Sequence, residues 1–294
     1  MYYCISEWFH PLWLKDRDAN FTTDDFVKIK ALPELYELVN LYQPEVVWSD
    51  LADATGPASY YKSKEFLAWL YNESPVKDTV VTNDRWCEEC FCKHGGYYTC
   101  QDKYNPGVLQ AHKWENCMSI DVNSWGYRRT ATLSELLSIH DIISTFASTI
   151  SCGGNMLMNV GPTKDGKIVP IFEERLRQFG SWLQVNGEGV YSTVPWSYQK
   201  ENGPPLIWYT MKKSASEGTA VYAIMLSWPN NSVLKLDKPM PSSSTKVSLL
   251  GYPEDIHWIS DASGTGIYIT VPVIPINKMP CEWAWVWKMT FIQN

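Results

Sequence analysis

The sequence predicts an α/β region with a parallel sheet, followed by a smaller all-β region. Up to about residue 194, short β-branched strand patterns alternate with amphipathic helix patterns, which is typical of parallel sheets with right-handed connections. From residue 195 to residue 294, strand-length segments rich in β-branched and aromatic residues are separated by Pro, Gly, Asn and Ser turns, a pattern typical of a β-sandwich. We therefore expect two domains, residues 1–194 and 195–294.

The α/β region begins with a predicted strand over Tyr2–Trp8, and the stretch after it, which contains Asp16, is predicted to be a loop. Pro33 is a favoured first-turn residue, and the apolar spacing after it predicts a helix that Pro44 ends. The other predicted elements are a strand over 44–50, a helix near 63–71, strands over 79–83 and 113–121, a helix opened by a capping box at 132–135, a strand over 156–160 and a helix over 172–185. Predicted strands of the all-β region cover 219–228, 245–251, 257–260, 266–273 and 283–292.

Composition excludes some classes of protein. The chain is 45% hydrophobic, which is ample for a core. Its net charge of −7 gives no basic stripe for phosphates, and no apolar run reaches the ~18 residues of a membrane helix. We therefore expect neither a nucleic-acid partner nor a membrane span. The 15 Trp and 17 Tyr residues exceed what a core needs, and sugar-binding sites use such rings, although core packing is the alternative for most positions taken singly.

The features that bear on the compartment conflict. Eight cysteines and Asn-x-Ser/Thr sequons at Asn20, Asn72 and Asn230 favour an oxidising, glycosylating route. The N-terminus, Met1-Tyr2, enters a strand pattern at once and shows no signal peptide.

Two stretches stand out as candidate sites. The segment from Pro44 to Asp50 is a short apolar strand that ends on an acid, and strand ends of this kind carry the chemistry in α/β proteins, although such an Asp also caps helices or pairs with Arg. The stretch from Asp84 to His112 loses regular patterning because it contains Gly-Gly, Pro-Gly and four cysteines. A loop of this length is usually functional or tied down.

A series of motifs identifies a family resemblance. In chain order they are Tyr2-Tyr3, Glu7-Trp8-Phe9-His10-Pro11, Trp48-Ser49-Asp50, Asn83-Asp84-Arg85-Trp86, His112-Lys113-Trp114-Glu115, Ser124-Trp125-Gly126-Tyr127-Arg128, and Gly153-Gly154-Asn155 through Asn159-Val160-Gly161-Pro162. With them the chain resembles an α-L-fucosidase of the animal tissue and plasma type, glycoside hydrolase family 29, from about residue 2 to its C-terminus. The resemblance implies an incomplete (β/α)8-like TIM barrel, with about six of eight strands, followed by a C-terminal β-sandwich domain. It implies no cofactor and no metal.

The resemblance also implies a retaining hydrolysis of terminal α-L-fucose from the glycans of glycoproteins and glycolipids. Such enzymes use two carboxyl groups ~5–5.5 Å apart. By position Asp50 matches the nucleophile, which forms a covalent fucosyl ester, and Asp102 in the cysteine-rich loop matches the acid/base. Glu115 is the rival acid/base, because a strand-end Glu also faces the pocket. We prefer Asp102, since a mobile loop can bring an acid over the leaving-group oxygen. A solvated loop acid beside Lys103 is the alternative for Asp102, and a buried partner of an Arg is the alternative for Glu115.

Four further residues match substrate-binding positions of the family. Trp48 and Trp125 would wall the sugar, Arg85 would hydrogen-bond ring or hydroxyl oxygens, and Tyr3 would face the pocket from its strand. Without the resemblance, a packed aromatic ring or a core ion pair is the better interpretation of each.

The cysteine-rich loop contains Cys87-Glu88-Glu89-Cys90, which is compatible with a zinc or redox motif. No second Cys/His pair lies at ligand spacing. Disulfides within the loop, such as one between Cys92 and Cys100, are the better interpretation, and they would hold Asp102 in place.

The chain also departs from the family. The resemblance implies that it starts at the third barrel strand, without the His-Trp and paired-His motifs that bind fucose hydroxyls. In addition, residues 51–53 replace an expected glycine-led loop after Asp50. An open barrel exposes sheet edges and core, and so we expect either a fragment or a barrel closed by a homo-oligomer or a complementing chain. The alternative to the enzyme is therefore an inactive fucosidase-like fragment that binds glycan or a protein partner. The family is lysosomal or secreted.

Overall fold

The structure is a computed structural model that describes residues 1–51, 55–214 and 218–294. These residues form two compact units. The first contains Met1–Tyr104 and Ala111–Glu115, and the second contains Asn105–Gln110 and Asn116–Asn294. The boundary predicted at residues 194 and 195 lies inside the second unit and stays a prediction.

The first unit is built on a three-stranded parallel sheet. Strands β1 (Tyr2–Cys4), β2 (Val46–Asp50) and β3 (Val81–Thr82) pair in the order β1-β2-β3. In this register Tyr2 lies opposite Trp48 and Cys4 lies opposite Asp50. The parallel sheet expected from the alternating pattern is therefore present, although β1 and β3 are shorter than predicted. Asp50 lies at the carboxyl end of β2, which is the end where α/β proteins place functional side chains.

Four α-helices complete the first unit. They are α1 (Pro11–Asp18), α2 (Leu32–Tyr42), α3 (Ala58–Tyr61) and α4 (Ser63–Asn72), and a π-helical turn, Val27–Ala31, precedes α2. Leu35 and Val39 of α2 and Phe66 and Leu70 of α4 lie in one buried cluster with Val47 of β2, as their spacing predicts. Tyr42, at position i+7 of the predicted α2 stripe, is exposed instead. Burial of each clustered side chain contributes about 1.5–3 kcal/mol. This packing fixes β2 and, with it, the position of Asp50.

The loop predicted around Asp16 is wrong, because this stretch is α1. His10 caps that helix by accepting a hydrogen bond from the Leu12 amide at its ring nitrogen, and Pro11 occupies the first turn. Asp16 is buried and accepts hydrogen bonds from the Thr23 hydroxyl and the Phe26 amide. Asp16 therefore connects α1 to the segment that follows it through buried hydrogen bonds. The predicted departure at residues 51–53 falls largely outside the described residues.

The second unit begins with a smaller α/β portion. Strands β4 (Trp114–Ser119) and β5 (Gly154–Asn159) form a two-stranded sheet, and the helices are α5 (Ile139–Ser151) and α6 (Pro170–Asn186). The first two residues of β4, Trp114 and Glu115, belong to the first unit. The capping box predicted at Thr132 exists but opens only a 3-10 turn, Leu133–Glu135. Leu136 is extended and pairs with Asp121, and so α5 starts later, with its own capping box at Ser138. The described residues contain five strands before residue 195, where the barrel prediction has about six.

The rest of the second unit is β-rich, as predicted. One antiparallel sheet contains β6 (Ile207–Ser214), β7 (Gly218–Met225), β12 (Trp285–Ile292) and β9 (Pro241–Leu249) in that order, and another contains β10 (Trp258–Ser260), β11 (Ile267–Thr270) and β8 (Val233–Leu236). Side chains of both sheets, such as Trp287 and Ile269, share one buried cluster, the packing of a β-sandwich. The sequence patterns did not predict β6, which ends in two lysines and a serine, or the four-residue β8. No helix of the described ranges is long and apolar enough to cross a membrane.

Candidate active site

Asp50 is held at both carboxylate oxygens. Its Oδ1 accepts hydrogen bonds from the Leu51 amide at 3.0 Å and from Arg85 Nη1 at 3.2 Å, and its Oδ2 accepts one from the Tyr2 hydroxyl at 2.6 Å. The side chain is still 25% exposed. A carboxylate that is fixed in direction and open to solvent has the properties of an enzymatic nucleophile.

Arg85 joins the two predicted catalytic aspartates. Its Nη1 contacts Asp50, while its Nη2 donates a 2.7 Å hydrogen bond to Asp102. Nε donates to the Thr99 hydroxyl at 2.9 Å, and the guanidinium lies 4.8 Å from the ring centre of Trp48. The Arg85 side chain is only 8% exposed. The carboxyl groups of Asp50 and Asp102 therefore contact the same buried guanidinium.

Asp50, Arg85, Asp102 and Trp48 form a cluster of contacting side chains, and Glu115 joins this cluster through Trp48. The indole nitrogen of Trp48 donates a 2.7 Å hydrogen bond to Glu115 Oε1. Burial raises the pKa of Glu115, although the Trp48 hydrogen bond and the charge of Arg85 act in the opposite direction. A raised pKa favours the protonated carboxyl, which is the form that a general acid needs. Glu115 therefore remains a chemically competent alternative to Asp102.

The tyrosine beside Asp50 is Tyr2, whereas Tyr3 was predicted to face the pocket. The Tyr3 hydroxyl donates instead to Glu34 of α2 at 2.7 Å. Successive side chains of a strand point to opposite faces, so Tyr2 takes the other face, where its ring stacks on Trp48 with centroids 5.5 Å apart. Burial and the negative charge of Asp50 raise the pKa of Tyr2, which keeps its hydroxyl a hydrogen-bond donor.

Two disulfides tie the cysteine-rich loop. Cys92 is bonded to Cys100, which confirms the predicted pair, and Cys87 is bonded to Cys90. Asp102 follows Cys100 by two positions and is therefore attached to a constrained loop. Among the residues that the structure describes, no group of three or more His, Cys, Asp or Glu side chains could hold a metal ion.

Asp84, which lies next to Arg85, was not among the predicted site residues. Asp84 is fully buried, and its carboxylate accepts hydrogen bonds from the amides of Cys92, Thr99 and Cys100 and from the Thr99 hydroxyl. The only signal in the sequence is its place in the Asn83-Asp84-Arg85-Trp86 motif directly after a strand. Its partners come from a loop without a regular pattern, and no periodicity could have indicated them.

Trp125 belongs to the second unit. It is 37% exposed, and its carbonyl accepts a 2.8 Å hydrogen bond from the Asn159 side chain. A Cβ at Gly161 would lie 2.4 Å from the Tyr127 amide nitrogen, and so the backbone of this loop needs a glycine there. The motif that contains Trp125 and the motif from Asn159 to Pro162 thus contact each other, while the predicted sugar contact of Trp125 stays a prediction.

Comparisons with known proteins agree with the motifs. The family profile described as "Alpha-L-fucosidase" matches residues 1–188, and the profile "Alpha-L-fucosidase C-terminal domain" matches residues 199–290. The chain is 56% identical over 289 residues to an "Alpha-L-fucosidase" of Branchiostoma floridae, with 98% of this chain and 63% of that protein covered. It is 53% identical over 291 residues to the "Plasma alpha-L-fucosidase" of Homo sapiens, with 99% and 61% covered.

A solved structure gives the same result. The α-fucosidase of Thermotoga maritima in complex with fucose superposes with a TM-score of 0.72 at 26% sequence identity, covering 94% of this chain and 59% of that one. The chain thus spans about three fifths of the length of the proteins that it matches. Both profiles follow the chain in order, the first over more than half of its residues, and we conclude that the chain belongs to the α-L-fucosidase family.

Proposed function

We propose that the protein is a retaining α-L-fucosidase that releases terminal α-L-fucose from the glycans of glycoproteins and glycolipids. The observation that carries the proposal is the convergence of Asp50 and Asp102 on the two terminal nitrogens of Arg85. Family membership supports the choice of fucose, as does the solved relative that contains this sugar. Retaining hydrolysis needs a nucleophile and an acid/base whose carboxyl groups lie about 5–5.5 Å apart.

The reaction has two steps. In the first, Asp50 attacks the anomeric carbon and forms an ester while the glycosidic oxygen leaves with a proton from Asp102. In the second, Asp102 removes a proton from water, the water oxygen attacks the anomeric carbon, and Asp50 leaves as a carboxylate. The hydrogen bonds of Asp50 to Tyr2 and Arg85 fix the direction of the attacking oxygen. Arg85 also donates a hydrogen bond to Asp102, which positions this carboxyl group beside the nucleophile.

Glu115 is the second candidate for the acid/base. One observation favours it, since burial raises the pKa of Glu115 while Asp102 is paired with Arg85. Asp102 remains our assignment, because it is on a loop and its side chain is 47% exposed, so that it can approach a leaving group from solvent. Glu115, in contrast, is held by Trp48 inside the unit.

Sugar binding is assigned to the aromatic pair beside the nucleophile. The stacked rings of Tyr2 and Trp48 lie on the same face of the sheet as the Asp50 carboxylate, and aromatic faces stack well on the C–H groups and the methyl group of a deoxy sugar. Trp125 is assigned to substrate contact on the family resemblance.

We extend the proposal to assembly and compartment. The sheet of β1 to β3 would form part of a (β/α)8-like barrel, and its edge at β1 is where a second copy or a complementing chain would add a strand. A secreted or lysosomal location fits the two disulfides and the plasma relative. Light scattering on the pure protein tests the proposed assembly, since a folded monomer that hydrolyses fucosides would contradict it.

An aryl α-L-fucoside assay tests the function. The protein should release the aryl group, Asp50→Ala should lose this activity, and azide should restore it by attacking from the side of the missing carboxylate, so that the fucosyl azide has inverted configuration. Asp18→Ala is the matched control, since Asp18 is an exposed acid paired with Arg17. Release that persists in Asp50→Ala would refute the assignment.

A further inference from the structure

Asp84 is a fully buried carboxylate next to Arg85, which contacts both proposed catalytic aspartates. Its Oδ1 accepts hydrogen bonds from the Thr99 amide at 2.9 Å and the Thr99 hydroxyl at 2.7 Å. Its Oδ2 accepts from the Cys92 amide at 2.7 Å and the Cys100 amide at 3.1 Å. Four donors fill the capacity of one ionised carboxylate. Burial of such a group is unfavourable unless it is satisfied in this way.

These donors all belong to the cysteine-rich loop. Cys92 and Cys100 also form the disulfide that closes it, so Asp84 binds both ends of the closed segment. Asp102 lies two positions beyond Cys100. Nearby, a Cβ at Gly95 would lie 2.8 Å from the Asn83 carbonyl carbon, which shows how closely the loop backbone approaches the segment that carries Asp84. The backbone of the loop therefore surrounds the Asp84 carboxylate and donates hydrogen bonds to it from three amides.

The Thr99 hydroxyl connects Asp84 to the cluster. It donates its proton to Asp84 and accepts a 2.9 Å hydrogen bond from Arg85 Nε. Arg85 in turn donates to Asp50 and Asp102. Because the Thr99 hydroxyl has one proton, its bond to Asp84 orients the oxygen lone pair toward Arg85. The direction of the guanidinium thus depends on Asp84.

We propose that Asp84 is a positioning residue for the acid/base step: it fixes the loop that carries Asp102 and, through Thr99, the guanidinium that both aspartates contact. The inference rests on the proposed function, because it takes Asp102 as the acid/base. Asp84 does not touch the substrate. Its loss should therefore slow cleavage of fucosides whose leaving group needs a proton more than cleavage of fucosides whose leaving group departs without one.

The first measurement is amide hydrogen exchange on the full oxidised chain, which needs no activity. In Asp84→Asn an amide group replaces two of the acceptor sites, and the Cys92, Thr99 and Cys100 amides should exchange roughly 10–100-fold faster, as the loss of hydrogen bonds to a charged group implies. Asp16→Asn is the matched control. Asp16 is also a fully buried carboxylate, bonded to Thr23, Phe26 and Tyr60.

The second measurement compares kcat/KM for two α-L-fucosides. One has a dinitrophenyl leaving group, which departs without a proton, and the other has a sugar leaving group, which needs one. Asp84→Asn should reduce activity on the sugar fucoside roughly 10-fold or more beyond its effect on the dinitrophenyl fucoside, whereas Asp16→Asn should reduce both equally. Thr99→Val is a milder variant that keeps the amide bond to Asp84 and removes the hydroxyl, and it should show the same selectivity. Thr210→Val, which removes the buried hydroxyl bonded to the Gly189 carbonyl, is its control.

The outcomes separate the inference from the proposed function. Unchanged exchange at the three loop amides in Asp84→Asn would overturn the inference, and so would equal losses on both fucosides in Asp84→Asn and Thr99→Val. A wild-type chain that releases no fucose would refute the proposed function alone, and the exchange measurement would still decide whether Asp84 holds the loop.

Discussion

The indole of Trp48 donates a 2.7 Å hydrogen bond to the carboxylate of Glu115, a residue 67 positions further along the chain. Both residues belong to the first unit, as do Asp50 and Arg85. An indole has one donor, and so this bond satisfies only part of the acceptor capacity of the partly buried carboxylate. Burial therefore raises the pKa of Glu115, and this residue and its neighbours can be tested directly.

The stability of Glu115→Gln relative to the wild type should increase as the pH rises. The pKa of Glu115 is raised from its ordinary value of 4.5 in the folded state, so its contribution to stability is fully present below about that pH and is lost as the pH rises through the raised value. Gln keeps an acceptor for Trp48 and has no charge to bury. The melting temperature of the variant minus that of the wild type should therefore increase from pH 4 to pH 7.5. Parallel melting curves across this range would contradict the burial of Glu115.

Asp102→Asn and Glu115→Gln should separate the two acid/base candidates. Removal of the true acid/base should lower kcat/KM by roughly 10²–10⁴-fold on a fucoside with a poor leaving group and much less on one with an activated leaving group. We expect this selectivity for Asp102→Asn. Azide should then react with the fucosyl enzyme and give a product of retained configuration. If Glu115→Gln shows the selectivity and Asp102→Asn does not, the roles are exchanged.

Tyr2→Phe should reduce activity more than Tyr3→Phe. The first variant removes the hydroxyl that donates to Asp50, and the second removes the hydroxyl that donates to Glu34. Loss of a hydrogen bond to a charged group implies roughly a 10–100-fold fall in kcat/KM for Tyr2→Phe. Tyr3→Phe should affect thermal stability and leave the aryl-fucosidase rate close to that of the wild type. A larger kinetic effect of Tyr3→Phe would support the family-based expectation that Tyr3 faces the substrate.

Loss of the Cys92–Cys100 disulfide should lower both stability and activity. The double variant Cys92→Ser, Cys100→Ser opens a loop of sequence separation 8 and should lower the free energy of unfolding by about 2–4 kcal/mol. It should also reduce activity on sugar fucosides, because Asp102 follows this loop. Cys87→Ser, Cys90→Ser is the comparison, since that disulfide closes a separation of only 3 and should contribute less to stability. Urea unfolding and kcat/KM on the same preparations measure both effects, and equal stability losses would contradict the loop-length argument.

Much of the fold followed from local patterns. The helical spacing of Leu35 and Val39 predicted α2, and that of Phe66 and Leu70 predicted α4. The β-branched residues before Asp50 predicted β2. The pattern failed where a distant partner changed the meaning of a residue. Asp16 suggests a loop, yet it lies in a helix because Thr23, Phe26 and Tyr60 satisfy its buried carboxylate. Leu136 ends the turn at Thr132 because it pairs with Asp121.

By itself the sequence determined the family, the alternation of strands and helices, and the identity of Asp50, Trp48, Arg85, Asp102 and Glu115 as a candidate set, because ordered motifs and apolar spacing are local properties of a chain. Tertiary structure alone decided that Tyr2 and not Tyr3 meets Asp50, and that Asp84 organises the loop before Asp102. The physical reason is that strand register selects which face a side chain occupies, and that a buried charge takes its donors from whichever backbone the fold brings within about 3 Å.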